Sequence, residues 1–360
     1  MRFSFTDDQH LFRDAVRDLL AKQCPPDQLR LAWTNDDGRL SDLWSTLAEM
    51  GVLGLPVAEE YGGLGLGELD LVLLLEETGR VGLPDPIVDS VAVASPLLAD
   101  LAPPQVAAEW LPLLASGEAV ATTILGGPYA PNADSADVII AVRDGQVVLV
   151  PAGAARLIRQ PSVDGARRLF AVDWDDADAT VLATGPDANS ALDRALDRGA
   201  VATAAQLLGL GQQMLDLTVD YVKERRQFGV PIGSFQAVKH HLADAMLQLE
   251  FARPVVYAAA YALATDDPNA TRAASHAKAA ASEAALLVGR QALQCHGAIG
   301  YTVEYDLHLY LKRVWALAAA WGDAAHHRSR VADLVLGPLP SEPVLLPLEP
   351  RTRITGATHG

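Results

Sequence analysis

Apolar residues recur at helical spacing over most of the chain, and the one interval where they alternate instead is short. Behind Thr6, the side chains of Leu11, Phe12, Val16, Leu19 and Leu20 share one face. A threonine at that point accepts from the free amides of a first helical turn, so a helix is expected through Leu20. Ser41 is placed to cap a second helix, with Leu43, Trp44 and Leu47 inward. Five glycines crowd the stretch from Met50 to Leu66, which favours tight irregular backbone over helix. Helical periodicity resumes over 68–80 and again near 86–98 and 104–116.

The period then changes. Short β-type runs follow at 119–125, 138–142, 146–150, 168–174 and 180–183. Asp144-Gly145 between two of them is a hairpin turn signal. From about 187 the helical period returns in long pieces, over 189–223, 235–264, 269–295 and 306–336. Long helices with short connections make a bundle. The order predicts a mainly α chain with a small β domain. The domains are an N-terminal all-helical domain (1–117), a short middle β domain (118–186), a C-terminal four-helix bundle (187–336) and a Pro-rich tail (337–360).

Composition narrows the function classes. The 360 residues are 50% hydrophobic, enough for a large core. The net charge is −17, with a pI near 4.8, so general binding to nucleic-acid phosphates is not expected. Cys24 and Cys295 form neither a disulfide framework nor a CxxC metal pattern, so no metal is expected and a reducing cytoplasm fits. The N-terminus does not read as a signal peptide, and no run reaches the roughly 20 apolar residues of a membrane span.

Two clusters carry candidate chemistry. Arg225-Arg226-Gln227-Phe228-Gly229-Val230-Pro231-Ile232-Gly233-Ser234-Phe235-Gln236 joins two long helical patterns. A guanidinium there can fork onto two oxygens of a pyrophosphate. The second cluster, Gln291-Ala292-Leu293-Gln294-Cys295-His296-Gly297-Ala298-Ile299-Gly300-Tyr301, ends a helix on glycines that let backbone or ligand approach closely. Taken alone, His296 is a candidate base, and each cluster also reads as a capped helix end.

These two runs, with the glycine-rich stretch from Trp44 to Leu66, closely resemble the acyl-CoA dehydrogenase family. The resemblance spans nearly the whole chain, strong at both ends and weak in the middle. It implies FAD as cofactor, an acyl-CoA thioester as substrate and an electron-transfer flavoprotein as electron acceptor. Arg225, Gln227 and Phe228 would contact the flavin nucleotide, and Gln236 its adenine part. Gln294, Gly297 and Ala298 would lie against the flavin pyrophosphate of a neighbouring subunit, with Ala298 replacing a family glycine. Trp44 to Leu66 would pack near the acyl cavity.

Family chemistry is α,β-desaturation, in which a carboxylate in an apolar cavity removes an α-proton and flavin accepts the β-hydride. The family places that glutamate at one of two positions. Counting from Glu304-Tyr305 puts Trp321 at the first, and counting back from Arg225 puts Gly199 at the second. Asp323 and Asp197 are the candidate replacements, though a two-residue shift turns a helical side chain by roughly 200°. The family's ring-binding strands are also shortened, with Thr122 and Thr123 left as candidate contacts to the flavin ring. Two readings stand. The chain is an acyl-CoA dehydrogenase with a displaced base, in an oligomer with shared flavin sites. Alternatively, it is a non-catalytic, flavin-sharing subunit of a heterotetramer with a paralogous chain.

Overall fold

The computed structural model describes residues 4–36 and 38–337. Helix α1 (Asp7–Gln23) begins as the sequence predicts. Thr6 Oγ1 accepts from the Gln9 amide at 3.2 Å, and the Gln9 side chain accepts from the Thr6 amide at 2.8 Å. Helix α2 (Pro26–Thr34) was not expected, because nine residues carry too little periodicity to stand out. Helix α3 (Ser41–Glu49) has Leu40, not Ser41, at its cap position. The buried carboxylate of Asp85 accepts the Leu40 amide at 3.2 Å, which fixes the entry to the helix. Helix α4 (Glu68–Val81) follows the glycine-rich turns. The next expected helix is a π-helix over Val88–Ala94 that passes into α5 (Ser95–Leu101), and α6 (Pro104–Ser116) closes the unit.

The β segment holds two sheets. Strands β1 (Ala121–Ile124), β3 (Val138–Arg143), β4 (Gln146–Pro151) and β7 (Thr180–Thr184) form one, in the order β1-β3-β4-β7. Strands β2 (Ala130–Pro131), β6 (Leu169–Asp173) and β5 (Arg156–Gln160) form the other, in the order β2-β6-β5. Asp144 and Gly145 both take positive φ, 53° and 75°, as a two-residue hairpin turn requires. Strand β5 escaped the sequence reading because its side chains are mostly exposed and polar, which erases the alternation. Ile139, Val150, Phe170 and Trp174 fill a small core between the sheets.

The connection from β5 to β6 leaves the sheets and docks on the helices. Asp164 pairs with Arg313, Arg167 donates to the Ala316 carbonyl at 3.3 Å, and Gly165 lies against the Trp33 ring. Each contact ties the β segment to another part of the chain.

The C-terminal helices are α7 (Gly185–Glu224), α8 (Gln236–Ala264), α9 (Ala270–His296), α10 (Leu307–Ala319) and α11 (Ala324–Leu336). A two-stranded ribbon, β8 (Arg226–Gln227) with β9 (Val230–Pro231), separates α7 from α8. The N-terminal helices and the bundle share one continuous core. Helices α4 and α7 cross with backbones in contact, since a Cβ at Gly79 would strike Gln206 and one at Gly209 would strike Glu76. The single last helix expected over 306–336 is instead two. Trp321 and Gly322 turn left-handed, at φ 57° and 88°, and Asp323 caps a new helix. The expected tail lies outside the described residues apart from Gly337.

Arg313→Met would leave the fully buried Asp164 carboxylate unpaired. We expect a loss of about 3 kcal/mol in urea unfolding. A loss under about 1 kcal/mol would mean that this pair does not hold the β segment in place.

Candidate cofactor corner and the cavity at Trp321

The first candidate cluster forms an open corner at one end of the bundle. Arg225 is the C-cap of α7, its amide donating to Tyr221 at 2.8 Å while its carbonyl accepts from Ile232 at 2.8 Å. Its guanidinium makes no ion pair or hydrogen bond among the described residues and is exposed. Phe228 stands at the ribbon tip at φ 52°, is 92% exposed, and meets Phe235 edge-on at 6.2 Å. Gln227 is exposed beside it, and Gln236 opens α8.

The second cluster converges on the same end. The His296 ring stacks on Tyr221, four residues before Arg225, at 4.3 Å. His296 Nδ1–H donates to the Ala292 carbonyl at 2.8 Å, and burial pushes its pKa down. A neutral imidazole stacked in this way is a joint between α7 and α9. Beyond it Gln294, Gly297 and Ala298 are exposed, and Gly297 turns at φ 65° into open space.

Positions 199 and 321, expected by counting to be the family's glutamate positions, lie against each other. The Trp321 indole packs on the α7 backbone at Gly199 and on Gly126, and a Cβ at either glycine would overlap the ring. Two side chains hold this turn. Lys278 Nζ donates to the carbonyls of Ala318 at 3.1 Å and Gly322 at 3.0 Å, and to Ser282 Oγ at 3.1 Å. Burial pushes the Lys278 pKa down to about 7. His327 Nε2–H donates to the Trp321 carbonyl at 2.8 Å, and burial lowers the ring to about 4, so it is neutral.

The expected replacement carboxylates are engaged elsewhere. Asp197 accepts from Thr271 at 2.7 Å and from Arg330 at 2.5 Å, tying α7 to α9 and α11. Asp323 accepts the His326 amide at 2.8 Å as the α11 cap, which holds its carboxyl below the usual range. Of the two threonines, Thr122 donates to the Pro131 carbonyl, and Thr123 Oγ1 lies 3.3 Å from Asp89 Oδ1.

Asp89 was not found by sequence reading. It sits on the π-helix, facing a cavity of about 130 Å³ that is also lined by Thr123, Arg167, Tyr129 and Trp321. Burial pushes its carboxyl up to about 6, against the pull of Arg167 and Thr123. Nothing in its local run, Val88-Asp89-Ser90, signalled the cavity. A second, largely apolar cavity of about 100 Å³ lies between α4, α5 and α7, walled by Pro56, Leu71, Leu75 and Val201. Arg198 closes its rim through Glu68 at 2.7 Å and Asp100 at 2.9 Å.

Profiles of the acyl-CoA dehydrogenase N-terminal and C-terminal domains match residues 6–118 and 189–336. The chain belongs to the acyl-CoA dehydrogenase family. It is 36% identical over 309 residues to the acyl-CoA dehydrogenase IpdE2 of Mycobacterium tuberculosis, covering 85% of this chain and 91% of that one. Among solved structures, a Tcur3481–Tcur3483 steroid ACAD variant aligns with TM-score 0.84 and 27% identity, over 92% of this chain and 98% of that one. The ChsE4–ChsE5 complex from Mycobacterium tuberculosis aligns with TM-score 0.84 at 24% identity, over 94% of this chain and the whole of that one. Among the described residues no helix is long and apolar enough to cross a membrane, and no group of acidic, His and Cys side chains could hold a metal ion.

FAD is the cofactor of this flavoprotein family. The corner fits a flavin nucleotide, because an unpaired guanidinium and an open glycine turn stand at its exposed end. The cavity at Trp321 does not fit a flavin ring. Its volume of about 130 Å³ falls below the roughly 300 Å³ at the small end of ligand pockets.

Two outcomes follow from this packing. Gly199→Ala overpacks the Trp321 ring and should destabilise by about 1–3 kcal/mol, whereas in a Trp321→Ala background it should stabilise by up to about 1 kcal/mol through helix propensity. Equal effects in both backgrounds, by denaturant melts, would refute the contact. The second concerns pH. His327 has a folded pKa below its ordinary 6.5, so the unfolded chain binds the extra proton, and stability falls as pH drops from 6.5 towards 4. The advantage of the native chain over His327→Gln should therefore shrink across that window, by at most about 3 kcal/mol. A pH-independent difference would contradict the buried neutral ring.

Proposed function

We propose that this chain is the supporting, non-catalytic member of a hetero-oligomeric acyl-CoA dehydrogenase. The observation that carries this reading is the Trp321 indole seated on Gly199, which fills both family glutamate positions with groups that cannot take a proton. In such an assembly a paralogous chain supplies the carboxylate and the flavin-ring pocket. That partner then performs the α,β-desaturation of the acyl-CoA, with FAD as hydride acceptor and an electron-transfer flavoprotein as electron acceptor.

This chain would lend the exposed corner. Arg225 would fork onto the flavin pyrophosphate, Gln227, Phe228 and Gln236 would contact the nucleotide, and Gln294, Gly297 and Ala298 would line its path. Exposed apolar side chains support association on this side of the bundle. Phe228, Tyr301 and Val303 lie about the corner, and Met246, Leu247 and Phe251 lie along α8. The solved relatives include complexes named for two chains, which is the arrangement proposed here.

The test is the visible spectrum and the mass of the protein purified alone and after co-expression with a paralogous acyl-CoA dehydrogenase. We expect a colourless chain alone and a yellow, active complex with the partner. A yellow homo-oligomer that bleaches on adding an acyl-CoA would overturn the proposal. In the complex, Arg225→Ala should weaken flavin retention by roughly tenfold or more, the size of a lost hydrogen bond to a charged group, without changing the melting temperature. Unchanged flavin content would remove Arg225 from the site.

A further inference from the structure

Asp89 and Arg167 face the same cavity without touching. Asp89 comes from the π-helix, and its side chain bonds no other residue than Thr123 among the described residues. Arg167 comes from the docked connection between β5 and β6, and of its five N–H donors one is used, on the Ala316 carbonyl. No ion pair joins the two, although both line the cavity of about 130 Å³ and a smaller one of about 40 Å³ beside it. Asp85 and Arg313 line the smaller cavity as well. Arg313 is already paired with Asp164, and Arg39 bonds Asp85 at 2.9 Å.

Asp89 and Arg167 line one partly open cleft and do not neutralise each other, which leaves donors on the guanidinium and an acceptor on the carboxylate for water or a ligand. The cleft, of about 130 Å³, takes a small molecule. Its walls are the Trp321 indole, Tyr129, Pro128 and Pro131, and its mouth is the exposed run Gly127–Tyr129.

We propose that this cavity binds a carboxamide group, whose carbonyl accepts from Arg167 and whose N–H donates to Asp89. A carboxylate would set a second negative charge beside Asp89 and has no N–H to give. A simple alcohol presents a single oxygen and cannot span both partners with the planar edge that the guanidinium fork matches. The site does not depend on the chain's being catalytic or supporting, so its test is separate from that question.

The experiment is ligand-observed fluorine NMR on the full chain with 2-fluoroacetamide, and fluoroacetate as its comparison. Fluoroacetamide should broaden and shift in a saturable way, and acetamide should displace it while acetate does not. Asp89→Leu, shown folded by its melting curve, should bind roughly tenfold more weakly, as expected for losing a hydrogen bond to a charged group. Should that variant not fold, the amide-against-acid comparison on the native chain decides alone. Displacement by pantetheine would assign the site to an amide of a longer ligand. Saturable binding that pantetheine leaves untouched would assign it to a free small amide, and both results sustain the site. Equal binding of fluoroacetate, unchanged binding in Asp89→Leu, or no saturable binding would overturn it.

Discussion

Trp321 can rest on α7 only because Gly199 offers no Cβ, and it reaches that place only by turning its own backbone left-handed. A bulky residue in that conformation is costly, by roughly 1–2 kcal/mol. Three carbonyls of the same turn are bound by Lys278 and His327, which offsets the cost. The ring then forms a wall shared by the bundle, the β segment and the π-helix. It lines the polar cavity at Asp89, whereas the apolar cavity beneath Arg198 is walled by other residues.

The outward corner and the cavity at Trp321 differ in what packs against them. The corner at Arg225 and Gly297 faces outward and does not involve Trp321, so it stays open and its charged group stays unpaired. The cavity at Asp89 and Trp321 lies where the β segment meets the bundle. There the shortened β segment is held close by the β5–β6 connection, through Asp164 on Arg313 and Arg167 on α10. The corner is therefore accessible, while Trp321 fills the space against Gly199.

The candidate corner was legible because its residues are contiguous. A run from Arg225 to Gln236 carries its meaning in order, and the ribbon that displays it needs only local turns. The long helices were legible for the same reason, since each is set by a period within its own segment. The break at Trp321 was not, because it depends on Gly199 and Lys278 in other helices. Strand β5 was missed because its exposed polar face carries no alternation. The carboxylates nearest in sequence to positions 199 and 321, Asp197 and Asp323, drew attention by position alone. The structure places them in an interhelical ion pair and a helix cap.

The sequence by itself determined the family, the order of helical and β segments, the exposed corner and the absence of a carboxylate at Gly199 and Trp321. These are properties of residue identity and short-range spacing. Only the tertiary structure decided that those two positions touch, and that Trp321 closes the space between them. It alone brought Asp89 and Arg167, 78 positions apart by subtraction of their numbers, to one cavity. The physical reason is that a cavity is defined by side chains meeting across elements, and no local period in the chain records which elements will meet.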